Sequence, residues 1–486
     1  MLTMPETVYT VYGLNRLGAL ANIIEPRTNP SRIKDRINEA NAKVLIVVDV
    51  FLNKIIEIAP NTSLEHIIVV PFSNSMPSYK KIIFNIKVKG KIPALPSDSK
   101  YKAWPDLLQN SSPCSVKLVP YTKDQPAVTI YTGGTTGIPK GAVLTNESIT
   151  AMEIQSKYDV PLLYEGKRFL GIMPPFIAYG FVFGMFIPFC AGLEVIQIPN
   201  FDPANFPHLV MKHKPNHIVG VPAFYEALSQ SNEVGSKSLA FLMCAITGGD
   251  QLLESTEKSI NQFLHSHGCK YSIMKGYGMT EMGSAATFTS TEEANVPGSV
   301  GIPVHGTTIK VIDSVTEQEL KYNEIGEICI TGETMMKEYY KNQAETNKIM
   351  HLHSDGKVWI HSGDIGYVSE KGAVFLKGRL KRMIIRPDGH NVWPSQIEAA
   401  IATHPAVSQC CVVGKPAKNT LNGKIPTAYI VLKPTYKETE GLLIEIENYT
   451  KKLMPERDTA SEFCYIDQLP LTDVGKVDYR ALEEKL

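Results

Sequence analysis

The sequence carries no excess of charge: 49 Lys and Arg balance 49 Asp and Glu over 486 residues, for a net charge of zero. That removes the bulk basic field on which nucleic-acid surfaces depend. Metal-ligand and disulfide patterns are missing as well. The eight cysteines (114, 190, 244, 269, 329, 410, 411 and 464) form no CxxC pair and show no His/Cys ligand spacing. This argues against a zinc site and a disulfide framework, and it fits a reducing, cytoplasmic setting. Cys410 and Cys411, inside an apolar run, read as small core residues. No basic segment leads into an apolar stretch at Met1 to Glu6, so no secretory signal is read. Internal repeats and low-complexity segments are absent from the sequence. Phe169 to Leu193 is free of charge and long enough to span a bilayer. However, Pro174, Pro175 and Pro188, with glycines at 171, 180, 184 and 192, interrupt any helix there. The expectation is no transmembrane segment but a buried strand, an apolar pocket wall and a buried helix.

What is present describes a soluble globular chain, 43% hydrophobic and 20% charged, long enough for two or more domains. Short β-branched runs alternate with helix-like stretches. Ala42 to Val48, Leu193 to Ile198 and His217 to Val221 read as strands, and Asn205 to Lys214 and Phe224 to Gln230 as helices. Such alternation argues for α/β layers. From about Thr307 the rhythm turns to short strands at 308–312, 327–330 and 373–376, a β-rich subdomain. Beyond Gly378 it changes again: helix at 395–403, strands at 409–413 and 427–432, helix at 441–453. The expected organisation is a large domain over 1–378, a hinge over 379–381 and a small α+β domain over 382–486. A local basic cluster, Lys377, Arg379, Lys381, Arg382 and Arg386, spans the boundary and needs its own explanation.

The densest chemistry lies in Tyr131-Thr132-Gly133-Gly134-Thr135-Thr136-Gly137-Ile138-Pro139-Lys140-Gly141, which follows the strand-like Ala127 to Ile130. Glycines let successive N–H groups converge on one anion, threonine hydroxyls add donors, and lysine adds a point charge suited to phosphate. The run reads as a polyphosphate cradle. It is not the P-loop of NTPases, because Pro139 and Gly141 flank Lys140 where that motif needs a hydroxyl after the lysine. The duller reading is a Gly/Thr-rich surface hairpin.

Four further motifs stand far apart. Gly276-Tyr277-Gly278-Met279-Thr280-Glu281 offers a ring, a hydroxyl and a carboxylate between permissive glycines. His361-Ser362-Gly363-Asp364 puts an aspartate in a turn, suited to two ribose hydroxyls. Arg379 sits at the domain junction, and Lys476 sits in a turn near the C-terminus. Singly, Asp364 reads as an Asx-turn residue and Lys476 as a solvated lysine.

Together and in this order, the motifs resemble the adenylate-forming superfamily of acyl- and aryl-CoA synthetases, nonribosomal adenylation domains and luciferases. The resemblance runs from about Glu6 to Leu486 and lies nearest the acyl-CoA synthetases. It implies an ATP-dependent, AMP-forming acid–thiol ligase using Mg²⁺ and CoA, with a mobile small domain. It implies that Thr132, Gly133, Gly134, Thr135, Thr136, Gly137 and Lys140 grip phosphate. Tyr277 would stack on adenine, with Gly248, Gly249, Asp250, Gly276 and Gly278 shaping that pocket. Thr280 would touch the α-phosphate, Glu281 would hold Mg²⁺, and Asp364 and Arg379 would bind ribose. Lys381 would be the hinge and Lys476 the catalytic lysine. Tyr179, Gly180 and Lys275 would line the acyl pocket, and the Asp388-Gly389-His390 turn would meet CoA.

Departures from the family pattern refine this. Gly133 stands where Ser is common, Ile177 and Ala178 follow Pro175-Phe176 where His is common, and Lys275 replaces a frequent Gln. The stretch 385–389 is one residue longer than in plant-type ligases and lacks their lysine. Relatives also carry a block of strands and helices before the segment matching Met4 to Thr7, so a truncated large domain with exposed apolar surface is expected. The apolar wall at Phe176, Tyr179, Phe181 and Phe183 favours an apolar fatty or aryl acid. The alternatives are a stand-alone enzyme that loads a carrier protein and an inactive nucleotide-binding relative.

Overall fold

The computed structural model describes residues 1–111, 116–132, 139–160, 162–163, 165–417, 423–471 and 477–484. Among these the strands form six sheets. The largest has seven strands in the order Ile302–Pro303, Ser284–Phe288, Met274–Met279, Cys244–Thr247, His217–Gly220, Arg168–Gly171, Glu194–Gln197. From Met274–Met279 to Glu194–Gln197 all neighbours run parallel. Parallel strands need crossover connections, and Phe206–His213, Pro222–Ser229 and Glu254–Ser266 are helices in those connections. Their apolar faces close one core, in which Phe206, Val210, Ile218, Leu228, Ile260 and Leu264 are buried. Each such side chain contributes about 1.5–3 kcal/mol of transfer free energy.

The α/β expectation therefore holds, with one end of the sheet antiparallel: Met274–Met279 turns back into Ser284–Phe288. A second parallel sheet joins Val44–Val48, His66–Val70 and Tyr101–Ala103. A third packs Ala21–Ile23 beside Pro126–Tyr131, which hairpins into Gly141–Thr145 and then meets Glu338–Tyr339.

The charge-free stretch resolves much as its composition suggests. Arg168–Gly171 is a strand and Ala178–Cys190 is helical throughout, burying Phe181, Val182, Met185 and Ile187. The surprise is continuity past Pro188. Val182–Phe186 adopts the wider π pitch just before it, and a local π turn absorbs a residue that a regular helix would break at. Among the described residues, no helix is long and apolar enough to cross a membrane.

The β-rich region is one antiparallel sheet of Thr307–Ile312, Gly326–Gly332, Val358–Val368 and Met350–Leu352, with Val374–Arg379 also on Val358–Val368. After Arg379 the chain makes a short 3₁₀ turn, Leu380–Arg382, and enters a unit with its own sheet and core. Val407–Pro416, Lys424–Leu432 and Glu462–Tyr465 pair there, and the helices Pro394–Ala402 and Glu440–Leu453 supply Ile397, Ile401 and Ile446 to that core. Cys411 is buried, whereas Cys410 is only partly so and leans on the Glu398 carbonyl at 3.3 Å.

Candidate active site

The phosphate-loop motif sits at the tip of the hairpin Pro126–Tyr131/Gly141–Thr145. Its neck is tied twice: the Thr132 N–H donates to the Lys140 carbonyl at 2.8 Å, and the Lys140 N–H donates to the Thr132 hydroxyl at 3.1 Å. The strands on either side of the motif are thus closed into one hairpin at Thr132 and Lys140. Gly133, Gly134, Thr135, Thr136 and Gly137 lie outside the described residues.

Lys140 has company that no motif announces. Its ammonium lies 2.9 Å from Glu345 and 4.5 Å from the centre of the Tyr339 ring. Tyr339 pairs with Ala142 across the sheet, and this register brings the ring beside Lys140. The Tyr339 hydroxyl donates to Glu281. Burial, and then the Glu281 charge, push the Tyr339 phenol far up, so it stays a donor. Glu345 is pulled down to about 2 by the hydrogen bond from Lys348 and then that from Lys140. Lysine, ring and carboxylate form a continuous chain from the hairpin neck to Glu281.

Glu281 is buried in a tight reversal: the strand Met274–Met279, a 3₁₀ turn Thr280–Met282, and the strand Ser284–Phe288. Thr280 is half-buried in that turn. The reversal is possible because position 278 has no side chain; a Cβ there would sit 1.5 Å from the Ser284 carbonyl oxygen.

The strand Met274–Met279 also carries Tyr277, which joins a buried cluster. The Tyr277 hydroxyl donates to Asp364 Oδ2 at 2.6 Å, and Arg379 Nε lies 2.7 Å from Asp364 Oδ1. Asp364 and Arg379 are direct cross-strand partners, so the sheet itself sets that pair. The Asp364 side chain is 7% exposed and the Arg379 side chain 55%. Burial raises Asp364 above the ordinary aspartate range, against the pull of Arg379 and of Tyr277. Burial and then the Asp364 charge raise the Tyr277 phenol well above its usual value. The result is a buried carboxylate with one exposed cationic lid.

Gly248 and Gly249 follow the strand Cys244–Thr247, and Asp250 is exposed, capping the Gln251 N–H at 2.8 Å. A Cβ on Gly248 would lie 2.9 Å from the Gly276 carbonyl and 3.6 Å from the Tyr179 ring, so these residues converge. Tyr179 donates to the Gly220 carbonyl at 3.1 Å and tilts against Phe183, 5.9 Å between ring centres. Phe183 in turn lines a crevice with Met152, Val160, Phe288 and Val304 on one hand and Gln155, Ser156 and Asp159 on the other.

Two pocket expectations need correction. Lys275 does not stand free for a substrate carboxylate: it is 4% exposed, 2.6 Å from Glu257, and donates to the Val296 carbonyl at 2.8 Å. A buried ammonium needs a partner, and the helix Glu254–Ser266 supplies one. Gly180 leaves no room for a side chain, since a Cβ would sit 2.0 Å from the Pro174 carbonyl oxygen. Phe176 and Phe181 are core rather than pocket wall: Phe176 packs with Leu2, Met4, Val48 and Val70, and Phe181 with Val128 and Leu144.

Asp388, Gly389 and His390 form the turn of a small hairpin, Ile384–Ile385 against Asn391–Val392. His390 is held inside its own unit, against Asp458 and Arg457. Lys381 is exposed in the 3₁₀ turn. Lys476 lies outside the described residues. Arg382, which no motif flagged, is bonded to Glu398 at 2.5 and 3.2 Å and to the Val412 carbonyl at 3.2 Å.

Comparison with known proteins agrees with this geometry. The family model described as AMP-binding enzyme matches residues 1–340, and that described as AMP-binding enzyme C-terminal domain matches 396–476. A long-chain-fatty-acid–CoA ligase of Bacillus subtilis is 27% identical over 99% of this chain and 84% of its own length. The 4-coumarate–CoA ligase 1 of Oryza sativa subsp. japonica is 26% identical over 99% of this chain and 81% of its own length. In fold, the chain is similar to an anthranilate CoA ligase in complex with anthranoyl-AMP (TM-score 0.83, 23% identity, 100% of this chain and 86% of that one). It is likewise similar to a benzoate CoA ligase from Burkholderia xenovorans LB400 (TM-score 0.80, 21% identity, 99% and 88%). The chain therefore belongs to the AMP-binding enzyme family, the adenylate-forming superfamily, and is an AMP-forming acid–thiol ligase that uses ATP and CoA.

Proposed function

We propose that this ligase activates an apolar carboxylic acid, fatty or aryl, as its acyl-adenylate and passes the acyl group to CoA. The observation that carries the assignment is the buried Tyr277–Asp364–Arg379 corner beside Glu281. A carboxylate held in low dielectric with one oxygen on a phenol and one on a guanidinium is a prepared acceptor for a vicinal diol. The diol of a ribose exchanges its hydroxyls for the Tyr277 donor, while Arg379 stays to balance the charge. The Tyr179 and Phe183 rings support an apolar acid, and the pairing of Lys275 with Glu257 removes the cation that a second substrate carboxylate would need.

Adenylation forms a bond between a carboxylate oxygen of the acid and the α-phosphorus of ATP, and breaks the bond to pyrophosphate. Lys140 and the adjoining loop are assigned to the phosphates, which compete with Glu345 for the ammonium. Thr280 is assigned to the α-phosphate. The hard, buried Glu281 carboxylate fits Mg²⁺, which when bound supplies charge neutralisation to phosphoryl oxygens. Tyr339, donating to one Glu281 oxygen, fixes that carboxylate's orientation. Lys476 is assigned to the charge that develops at the α-phosphoryl group. The large domain is taken as 1–378 and the small one as 382–486, with Lys381 as pivot and the 388–390 turn meeting the thiol.

The test is pyrophosphate release across a panel of carboxylic acids, with and without CoA. Apolar acids should turn over and CoA should discharge the adenylate. An adenylate that CoA leaves intact but an added carrier protein discharges would support carrier loading instead, and no turnover with any acid would support the inactive relative. Lys476→Ala should lower adenylation by about 10²–10³-fold while sparing thioester formation from preformed adenylate. Unchanged adenylation removes Lys476 from its role.

A further inference from the structure

The β-rich sheet holds a second cluster of chemistry that adenylation does not use. Cys329 and His361 face each other as direct partners on antiparallel strands, and Glu327 stands two residues before Cys329. One ligand atom from each of the three, thiol sulfur, imidazole nitrogen and carboxylate oxygen, lies within 4.8 Å of the others. Cys329 is fully buried, and the Glu327 and His361 side chains are each 9% exposed. His361 is held at both ends: Nδ1 is 3.2 Å from Glu327 Oε2, and Nε2 is 2.9 Å from His353 Nε2. A third ring, His351, lies tilted against His361 with 4.1 Å between centres.

We infer that Glu327, Cys329 and His361 form a divalent transition-metal site, with His353 as the partner that orients His361. The donor set of one sulfur, one nitrogen and one oxygen is that of zinc, which takes bonds of about 2.0–2.3 Å, and the Glu327 and His361 atoms already stand 3.2 Å apart. Charge balances, because a thiolate and a carboxylate offset the ion's two positive charges. Binding breaks the Cys329 S–H bond, forms a metal–sulfur bond and releases one proton to solvent. His361 binding through Nδ1 leaves Nε2–H to donate to His353, the second contact that metal-bound histidines usually keep. The other Glu327 oxygen is already occupied by the Gly363 N–H at 2.9 Å, which fixes the carboxylate's direction. Lys310, opposite Cys329 in the sheet, lies over the Trp359 ring at 4.1 Å and 3.9 Å from Asp355. Sequence spacing argued against such a site, because the ligands come from two strands that only the sheet register brings together.

The experiment uses the full chain, stripped with chelator and titrated with Zn²⁺ alone in competition with a chromophoric chelator. One equivalent should bind with release of one proton, Cys329→Ser should abolish stoichiometric uptake, and His353→Asn should weaken it by about 10–100-fold. Co²⁺ on the unaltered chain gives a readout that does not depend on how Cys329→Ser folds: thiolate ligation produces an intense near-ultraviolet charge-transfer band. Absence of stoichiometric Zn²⁺ uptake, or a Co²⁺ complex without that band, overturns the assignment. Retention of full affinity in a folded Cys329→Ser chain overturns it as well.

Discussion

Two arginines three residues apart, Arg379 and Arg382, do opposite work with the same side chain. Arg379 is 55% exposed and touches the large region, bonded to the buried Asp364. Arg382 is 22% exposed and belongs to the small unit, where it grips Glu398 with both terminal nitrogens, reaches the Val412 carbonyl and covers the Tyr479 ring at 5.0 Å. Arg379 covers a buried carboxylate and Arg382 is a rivet in a core. Between them Lys381 is exposed. The flanks of the basic cluster are equally specific: Lys377 lies 5.5 Å from the Tyr367 ring centre, and Arg386 donates to the Thr459 carbonyl at 2.7 Å. A run of like charge is thus resolved into separate local contacts on the two sides of the Leu380–Arg382 turn.

The comparison breaks most visibly at Arg382. Arg382→Ala strands a largely buried Glu398 carboxylate and should cost the small unit about 3 kcal/mol, with AMP affinity of the folded protein unchanged. Chemical denaturation followed by nucleotide titration measures both, and a loss of affinity without a loss of stability would reverse the two roles. Arg379→Ala should touch both properties. It removes the charge-assisted bond to the buried Asp364, worth about 1.5–3 kcal/mol, so it should lower stability by up to that amount and also weaken AMP by about 10-fold or more, a loss of affinity that Arg382→Ala does not share.

A pH series sharpens the same contrast through Asp364. Its folded-state pKa is raised above the ordinary aspartate value of 3.8 by burial. The folded state therefore holds that proton more tightly than the unfolded one, and this group's contribution to stability falls as pH rises from 3.8 through the raised value. On acidification through that window the wild-type chain should gain stability relative to Asp364→Asn, even as it loses the acceptor for ribose hydroxyls. A wild-type-minus-variant difference that is flat with pH contradicts the assignment. The smallest effect is expected at Lys381, where substitution by alanine should move stability by less than about 0.5 kcal/mol. A larger change in denaturant midpoint would show that the pivot is itself a rivet.

Much of this was legible in the chain. Phosphate chemistry is written locally, so Thr132 to Gly141, Gly276 to Glu281 and His361 to Asp364 each announce themselves, and their order identifies the family. Contacts made by register were not legible. Tyr339 reaches Glu281 from 58 residues away and Lys140 meets Glu345 across 205, and no spacing rule joins either pair. Lys275 misled because a lone lysine beside a Gly-Tyr-Gly turn looks available, while its partner Glu257 lies 18 residues upstream on a helix. Phe176 and Phe181 misled because an apolar run states burial without stating which cavity, if any, it faces. Pro188 misled in the other direction, since the π turn that accommodates it leaves no mark in composition.

The central claim is that Asp364, Arg379 and Tyr277 hold a nucleotide whose α-phosphorus is attacked. The most direct test is to follow the adenosine product when the chain is given ATP, Mg²⁺, an apolar carboxylic acid and CoA. The account predicts AMP and pyrophosphate in equal amounts with one acyl-CoA, and a strong reduction of all three in Asp364→Asn. Formation of ADP and phosphate instead, or AMP formation that is indifferent to Asp364→Asn, would contradict it.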